Sequence, residues 1–227
     1  MSENRLSDQN KDPEVYPDSI YGDCLPEMQA VMEDILGQIR EVREEMTRIR
    51  GEDPIDHCKA RIKSEESMRE KCVRKGLPQT PDSALRVLKD AIGVRVVCAF
   101  VSDVYSIRDY LVNLPDCELV EEKDYIRNPK ENGYRSYHMI LRTTDGRIPK
   151  GCEPATPDGQ PARGYFVEVQ LRTISMDTWA ALEHHMKYKK KAPANERLIV
   201  AELKRCADEL ASTDVSMQTI RDMIHEL

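Results

Sequence analysis

Residues 164–173, GYFVEVQLRT, alternate apolar and polar side chains with the period of a β-strand. Val167, Val169 and Leu171 fall on one face, Glu168, Gln170 and Arg172 on the other. The apolar face belongs to a core. An acid, an amide and a guanidinium in the middle of so apolar a strand point to a lined site and not to open solvent. The chain is thereby constrained to a sheet with one face covered and a polar floor on the other.

Four further stretches can supply that sheet. AIGVRVVCAF at 91–100 is the most β-like run, ELVEEKDYI at 118–126 and SYHMILRT at 136–143 follow it, and 55–62 is weakly extended. Spacings of three and four mark helices over 26–49, 102–113, 174–190 and 196–226. Pro26 suits a first helical turn and Gly51 a stop. Ser64 reads as the N-cap of a helix that carries Glu65 and Glu66 in its first turn and runs to Gly76, and a short helix is expected near 82–89. The Gly- and Pro-rich segment 144–163 is an irregular excursion between paired strands. The pattern predicts an α/β (α+β) fold: a mixed central sheet flanked by helices, with helical arms at both ends. Residues 1–24 are expected to be a disordered tail, 25–54 an N-terminal helix, 55–190 the sheet domain and 191–227 a C-terminal helical region.

Composition narrows the function. No apolar run reaches the roughly 18–20 residues of a membrane helix, and the polar N-terminus is no signal peptide. Seven cysteines stand singly, without a Cys-x-x-Cys pair, which argues against a disulfide framework or zinc site and for a reducing cytoplasm. The net charge of −7 argues against a general nucleic-acid coat. Residues 59–75 nevertheless hold seven basic residues against three glutamates, which suits a small polyanion such as a nucleotide, or simply a solvated helix face.

Four constellations can carry chemistry. A helix starting at Ser64 offers free N–H groups to an anion; Ser67, Lys71 and Arg74 share its face, and Arg61 and Lys63 enter from the preceding segment. This is either a triphosphate cradle or a capped surface helix with a basic edge. Asp90 opens an apolar strand that also carries Arg95, either as a structural pair or as a Mg²⁺ ligand beside a cation that stacks on a base or grips a phosphate. Glu168 on the polar strand face is a partner for Asp90 around one metal. NPKENGYRSYH at 128–138 is a turn that holds Lys130, Tyr134 and His138; Tyr134 can stack on a base, and Ser136 and His138 share one face of the next strand.

Taken together, RIKSEES (61–67), DAIGVRV (90–96), NPKENGYRSYH (128–138) and VEVQLRT with the downstream WAALEHHMKYK resemble the synthetase domain of the RelA/SpoT family, and by its length the chain resembles a stand-alone small alarmone synthetase. The resemblance spans about residues 55–190. It implies a nucleotidyltransferase-like fold and transfer of the β,γ-pyrophosphate of ATP to the 3′-hydroxyl of GDP or GTP, with GMP a further candidate acceptor. It implies that Arg61, Lys63, Ser67, Lys71, Arg74 and Arg95 bind ATP. Lys130, Asn132, Tyr134, His138, Gln170 and Asp177 would bind GDP or GTP, with Tyr134 stacked on guanine. Asp90 and Glu168 would be the catalytic pair and the Mg²⁺ ligands, Glu168 divided between metal ligand and base. A homo-oligomer, a tetramer in many such proteins, and an alarmone or single-stranded RNA effector are further implications. The histidines give no hydrolase signature. Two other readings remain: a toxin-like enzyme that pyrophosphorylates the 3′ end of tRNA, and a catalytically dead nucleotide or RNA sensor.

Overall fold

The computed structural model describes residues 19–152, 163–188 and 195–226. Five strands form one sheet: β1 (Ile55–Ile62), β2 (Ile92–Cys98), β3 (Cys117–Asp124), β4 (Tyr137–Thr143) and β5 (Phe166–Thr173), in the order β1-β2-β5-β4-β3. β2 and β5 pair in parallel, and every other neighbouring pair is antiparallel. The fold is therefore the mixed sheet with flanking helices that the alternation predicts.

The core face is apolar over its central strands. Val94, Val96, Met139, Leu141, Val167, Val169 and Leu171 are all buried. Helices α1 (Leu25–Arg50) and α3 (Val101–Val112) pack on the sheet. α1 buries Met28, Val31, Ile35, Ile39, Val42 and Met46 along one stripe. Each such side chain contributes about 1.5–3 kcal/mol relative to exposure, and this stripe is what holds α1 against the sheet. Gly51, at φ 77°, ends α1 and donates its N–H to Thr47 O.

Helix α2 (Glu65–Lys75) has the cap expected from sequence. Ser64 Oγ accepts from Ser67 N, and Gly76 closes the other end at φ 66°. A π-helical turn, Ser83–Val87, stands where a short helix is expected. β1 is a full edge strand, and β3 stops at Asp124, whose Oδ1 accepts from the N–H groups of Ile126 and Arg127 and turns the chain.

Of the segment expected to be a disordered tail, residues 19–24 are described, and they are packed. Ile20, Tyr21 and Cys24 are almost wholly buried, Tyr21 donates to Lys63 O at 2.7 Å, and Ser19 donates to Glu65 at 2.7 Å. Three apolar residues in a polar stretch are too few for a periodicity to register. The middle of the 144–163 excursion lies outside the described residues. Its closing end is tied at Gly164, whose N–H donates to Arg147 O. A Cβ on Gly164 would lie 1.9 Å from Thr143 O, so only glycine fits.

Helices α4 (Ile174–Tyr188) and α5 (Glu196–His225) complete the fold. Trp179 Nε1 donates to Leu203 O, Thr173 Oγ1 to Asp214, and Arg221 pairs with Glu52 and Asp103. Among the described residues no helix is long and apolar enough to cross a membrane.

Candidate active site

Register builds the site. Through the strand pairings, Arg61 lies opposite Gly93, Gly93 opposite Glu168 and Glu168 opposite Ile140. One row along, Lys59, Arg95, Gln170, His138 and Lys123 follow one another across all five strands. The polar floor predicted for β5 thus extends over the sheet, and Gly93 leaves space in its middle.

Two clefts open on this floor. One, of ≈ 570 Å³, is lined by Lys59, Arg61, Lys63, Arg95 and Gln170 among others. The other, of ≈ 820 Å³, takes Lys71, Arg74, Lys89, Lys123, Lys130 and His138. Asp90 and Glu168 line both, so the two carboxylates stand where the clefts meet.

Asp90 Oδ2 accepts from the ammonium groups of Lys63 and, at 2.6 Å, Lys71. Burial works against the Asp90 carboxylate, but the two lysines outweigh it and hold its pKa below the usual range. Its other oxygen, Oδ1, is buried and without a hydrogen-bond partner among the described residues. An orphaned carboxylate oxygen next to a second carboxylate fits a hard divalent cation, which takes one or two protein carboxylates and completes its shell with water and phosphate oxygens. The described residues gather no set of three or more His, Cys, Asp or Glu that could hold a metal without such outside ligands.

Glu168 is also mostly buried. Burial pushes its pKa up, while His138 and the Gln170 amide more than reverse this and keep it below the usual range. Gln170 Nε2 donates to Glu168 Oε2 at 3.0 Å, and His138 Nδ1 faces Oε1 at 3.6 Å, beyond a full hydrogen bond.

The turn 128–138 is held from within. Gly133 N donates to Lys130 O, and Tyr134 N to the Asn132 side chain, whose amide donates to Glu183 on α4. Asn132 therefore works as a brace for the loop. Tyr134 presents its hydroxyl to His138 Nε2 at 2.8 Å, and Lys130 Nζ sits over its ring. Tyr125 packs edge-on against Tyr134 and His138.

Most of the residues singled out from sequence line these clefts; Ser67, Asn132, Tyr134 and Asp177 line neither, although Tyr134 bonds to His138 at the edge of the larger one. Ser67 lines neither cleft and is engaged by the α2 cap, where Ser64 Oγ donates to its hydroxyl at 2.9 Å. Lys71 and Arg74 line the larger cleft, while Arg61, Lys63 and Arg95 line the smaller. Asp177, at the start of α4, takes Arg95 at 3.2 Å and Arg172 at 2.9 Å on one oxygen and so ties α4 to the polar faces of β2 and β5. Burial lowers the Arg95 pKa, and the nearby Arg172 adds to this; the Nε–H of Arg95 is buried and has no hydrogen-bond partner among the described residues. Sequence reasoning put Arg172 on the polar face of β5 without giving it a role, and it missed Tyr125 and Lys59. Arg172 shows the right strand parity but no sign of its burial.

This fold and site define an α+β protein with two cationic clefts that meet at a carboxylate pair. Comparison with known proteins makes the class specific. The model for the region found in RelA/SpoT proteins matches residues 60–193. The GTP pyrophosphokinase YwaC of Bacillus subtilis (strain 168) is 37% identical over 182 residues, which is 79% of this chain and 80% of that one. The crystal structure of the small alarmone synthetase 1 from Bacillus subtilis bound to its product pppGpp superposes with a TM-score of 0.71 at 27% identity, covering 90% of this chain and 96% of that one. The same enzyme bound to AMPCPP superposes with a TM-score of 0.65 at 26% identity, over 90% and 96% of the two chains. The chain belongs to the RelA/SpoT family.

Proposed function

We propose that the protein is a (p)ppGpp synthetase, a GTP pyrophosphokinase that moves the β,γ-pyrophosphate of ATP to the 3′-hydroxyl of GDP or GTP. The single observation that carries this reading is that Asp90 and Glu168 line both of two cationic clefts and so stand where they meet. The likeness to an enzyme solved both with pppGpp and with AMPCPP supports both ligand classes.

In this reading the smaller cleft holds ATP. Arg61 and Lys63 take phosphate charge, and Arg95 offers its guanidinium face to adenine. Lys71 and Arg74 meet the phosphates from the acceptor side. Ser67 adds a hydroxyl at the α2 terminus once its cap bond yields. On the acceptor side Lys130 and His138, which line the larger cleft, hold phosphates and ribose together with Gln170 from the smaller one; Tyr134, bonded to His138, stacks on guanine, Asp177 reads its edge, and Asn132 braces the loop. Asp90 and Glu168 would hold Mg²⁺, which when bound neutralises the phosphate charge that develops during transfer.

The acceptor 3′-oxygen attacks the β-phosphorus, the bond from the α,β-bridging oxygen to that phosphorus breaks, and AMP leaves. The 3′-hydroxyl proton must go to a base within reach, and in this reading Glu168, whose pKa His138 and Gln170 lower against its burial, divides its role between taking that proton and holding the metal. A cytoplasmic homo-oligomer responsive to a nucleotide or single-stranded RNA completes the proposal. The described cysteines are all unpaired, in keeping with a reducing compartment.

Incubation with ATP labelled in its γ-phosphate, Mg²⁺ and GDP, GTP, GMP or tRNA tests the reading. Label on a guanosine nucleotide is the expected result. Label on tRNA alone assigns the toxin-like reaction, and no transfer to any acceptor assigns a sensor.

A further inference from the structure

We infer that Arg172 is a positioning residue that sets which way the side chains around Glu168 present their hydrogens. The inference rests on the proposed role of Glu168, and it concerns a side chain that touches neither nucleotide in that proposal.

Arg172 lies on the polar face of β5 yet is only 4% exposed. Its guanidinium is engaged on every side. Nε donates to Ser136 Oγ at 3.4 Å and Nη1 to Asp177 at 2.9 Å. Nη2 donates twice, to Tyr134 Oη at 2.7 Å and to Gln170 Oε1 at 2.8 Å.

A guanidinium has only donors, so each of those contacts dictates the polarity of the next. Gln170 must turn its carbonyl oxygen to Arg172, which leaves its NH₂ facing Glu168 Oε2. Tyr134 accepts from Arg172, so its own proton is free for a second partner, and His138 Nε2 at 2.8 Å is the acceptor within reach. With Nε2 accepting, a neutral His138 carries its hydrogen on Nδ1, the atom that faces Glu168 Oε1. Two relays thus leave one buried cation and arrive, hydrogen first, at the two oxygens of one carboxylate. Lysine cannot replace this fork, because an ammonium is a single point that does not span Tyr134, Gln170 and Asp177 together.

The test is nitrogen NMR of ¹⁵N-histidine-labelled full-length protein, free of nucleotide and metal, at about pH 8.5, above the ordinary imidazole pKa of about 6.5. Steady-state kinetics are run alongside. The wild-type His138 is expected as the Nδ1–H tautomer. Arg172→Lys is expected to convert it to a mixture and to lower kcat about tenfold or more, while the KM for ATP stays within about twofold, since Arg172 is absent from the cleft proposed for ATP. An Arg172→Lys protein that keeps either the wild-type tautomer or the wild-type kcat overturns the inference. If that variant does not fold by circular dichroism, Tyr134→Phe cuts the same relay one link later. It must give the same tautomer mixture, and an unchanged Nδ1–H form overturns the inference. If the wild type makes no alarmone, the proposed function fails and the tautomer alone decides for or against Arg172.

Discussion

Lys130 lies over the ring of Tyr134, its Nζ 4.7 Å from the centroid. The same ammonium is 4.8 Å from the ring of Tyr125. The plate proposed for guanine is therefore covered by a cation of its own loop, and a base can stack there only after Lys130 swings aside. The displaced ammonium then becomes available to the acceptor's phosphates, so one movement uncovers the ring and supplies a charge.

Tyr134→Ala is expected to raise the KM for GDP or GTP by about 5- to 100-fold, the equivalent of about 1–3 kcal/mol of base stacking. The KM for ATP should hardly move. Initial rates with one nucleotide varied at saturating levels of the other separate the two. Equal losses on both sides would remove Tyr134 from the acceptor site.

Glu168→Gln is expected to keep ATP binding and to cut alarmone formation by about 10²- to 10⁴-fold. The amide retains the side-chain volume, and its oxygen can still accept from Gln170, but it can neither take a proton nor give a metal a full charge. Calorimetry with a non-hydrolysable ATP analogue and chromatography of the products read the two effects. Near wild-type synthesis would sink the assignment.

Acid should weaken the fold partly through Asp90. In the folded protein its carboxyl titrates below the usual range, because Lys63 and Lys71 outweigh its burial. Unfolded, it titrates near its ordinary value of about 4. The folded state therefore binds fewer protons, and the stabilisation is complete above that unfolded value and lost as pH falls through the folded one. Urea melts at about pH 7 and pH 3 should show a smaller acid-induced loss in Asp90→Asn than in wild type. An equal loss would mean that the lysines do not act through this carboxylate.

Gly133 sits at φ 88°, and a Cβ there would lie 2.6 Å from Ala207 Cβ and 3.0 Å from Lys204 Cα on α5. Gly133→Ala combines left-handed backbone strain with a clash against helix backbone and is expected to cost about 2–4 kcal/mol. It should also raise the acceptor KM, since it pushes Tyr134's loop off its support. Thermal melts should show partial recovery when Ala207→Gly is added, because the shorter contact is relieved while the backbone strain stays.

The fold was legible where one rule suffices. The alternation in β5, the Ser64 cap and Gly76 stop of α2, and the apolar stripe of α1 are local patterns, and the structure follows them. The candidate site was legible as a list of charged residues on the right strand faces. What sequence could not give is partnership. That Asp90 carries two lysines on one oxygen depends on how α2 docks against the end of β2. That Arg172 is buried depends on α4 bringing Asp177 over it. The packing of Ile20 and Tyr21 depends on a surface that exists only when the body has folded.

The strand order divides the polypeptide as well as the cleft. Residues proposed for the donor come from one continuous stretch of chain ending in β2, and most of those proposed for the acceptor come from another beginning at β3. The acceptor side can accumulate changes over generations without disturbing how ATP is held. β5 has no such freedom. It lies between β2 and β4, and in the proposed reaction a substitution at Glu168 or Gln170 is felt on both sides of the transfer at once. Variation that retunes the choice of acceptor is therefore expected in the 125–138 loop and α4, with the polar face of β5 held fixed.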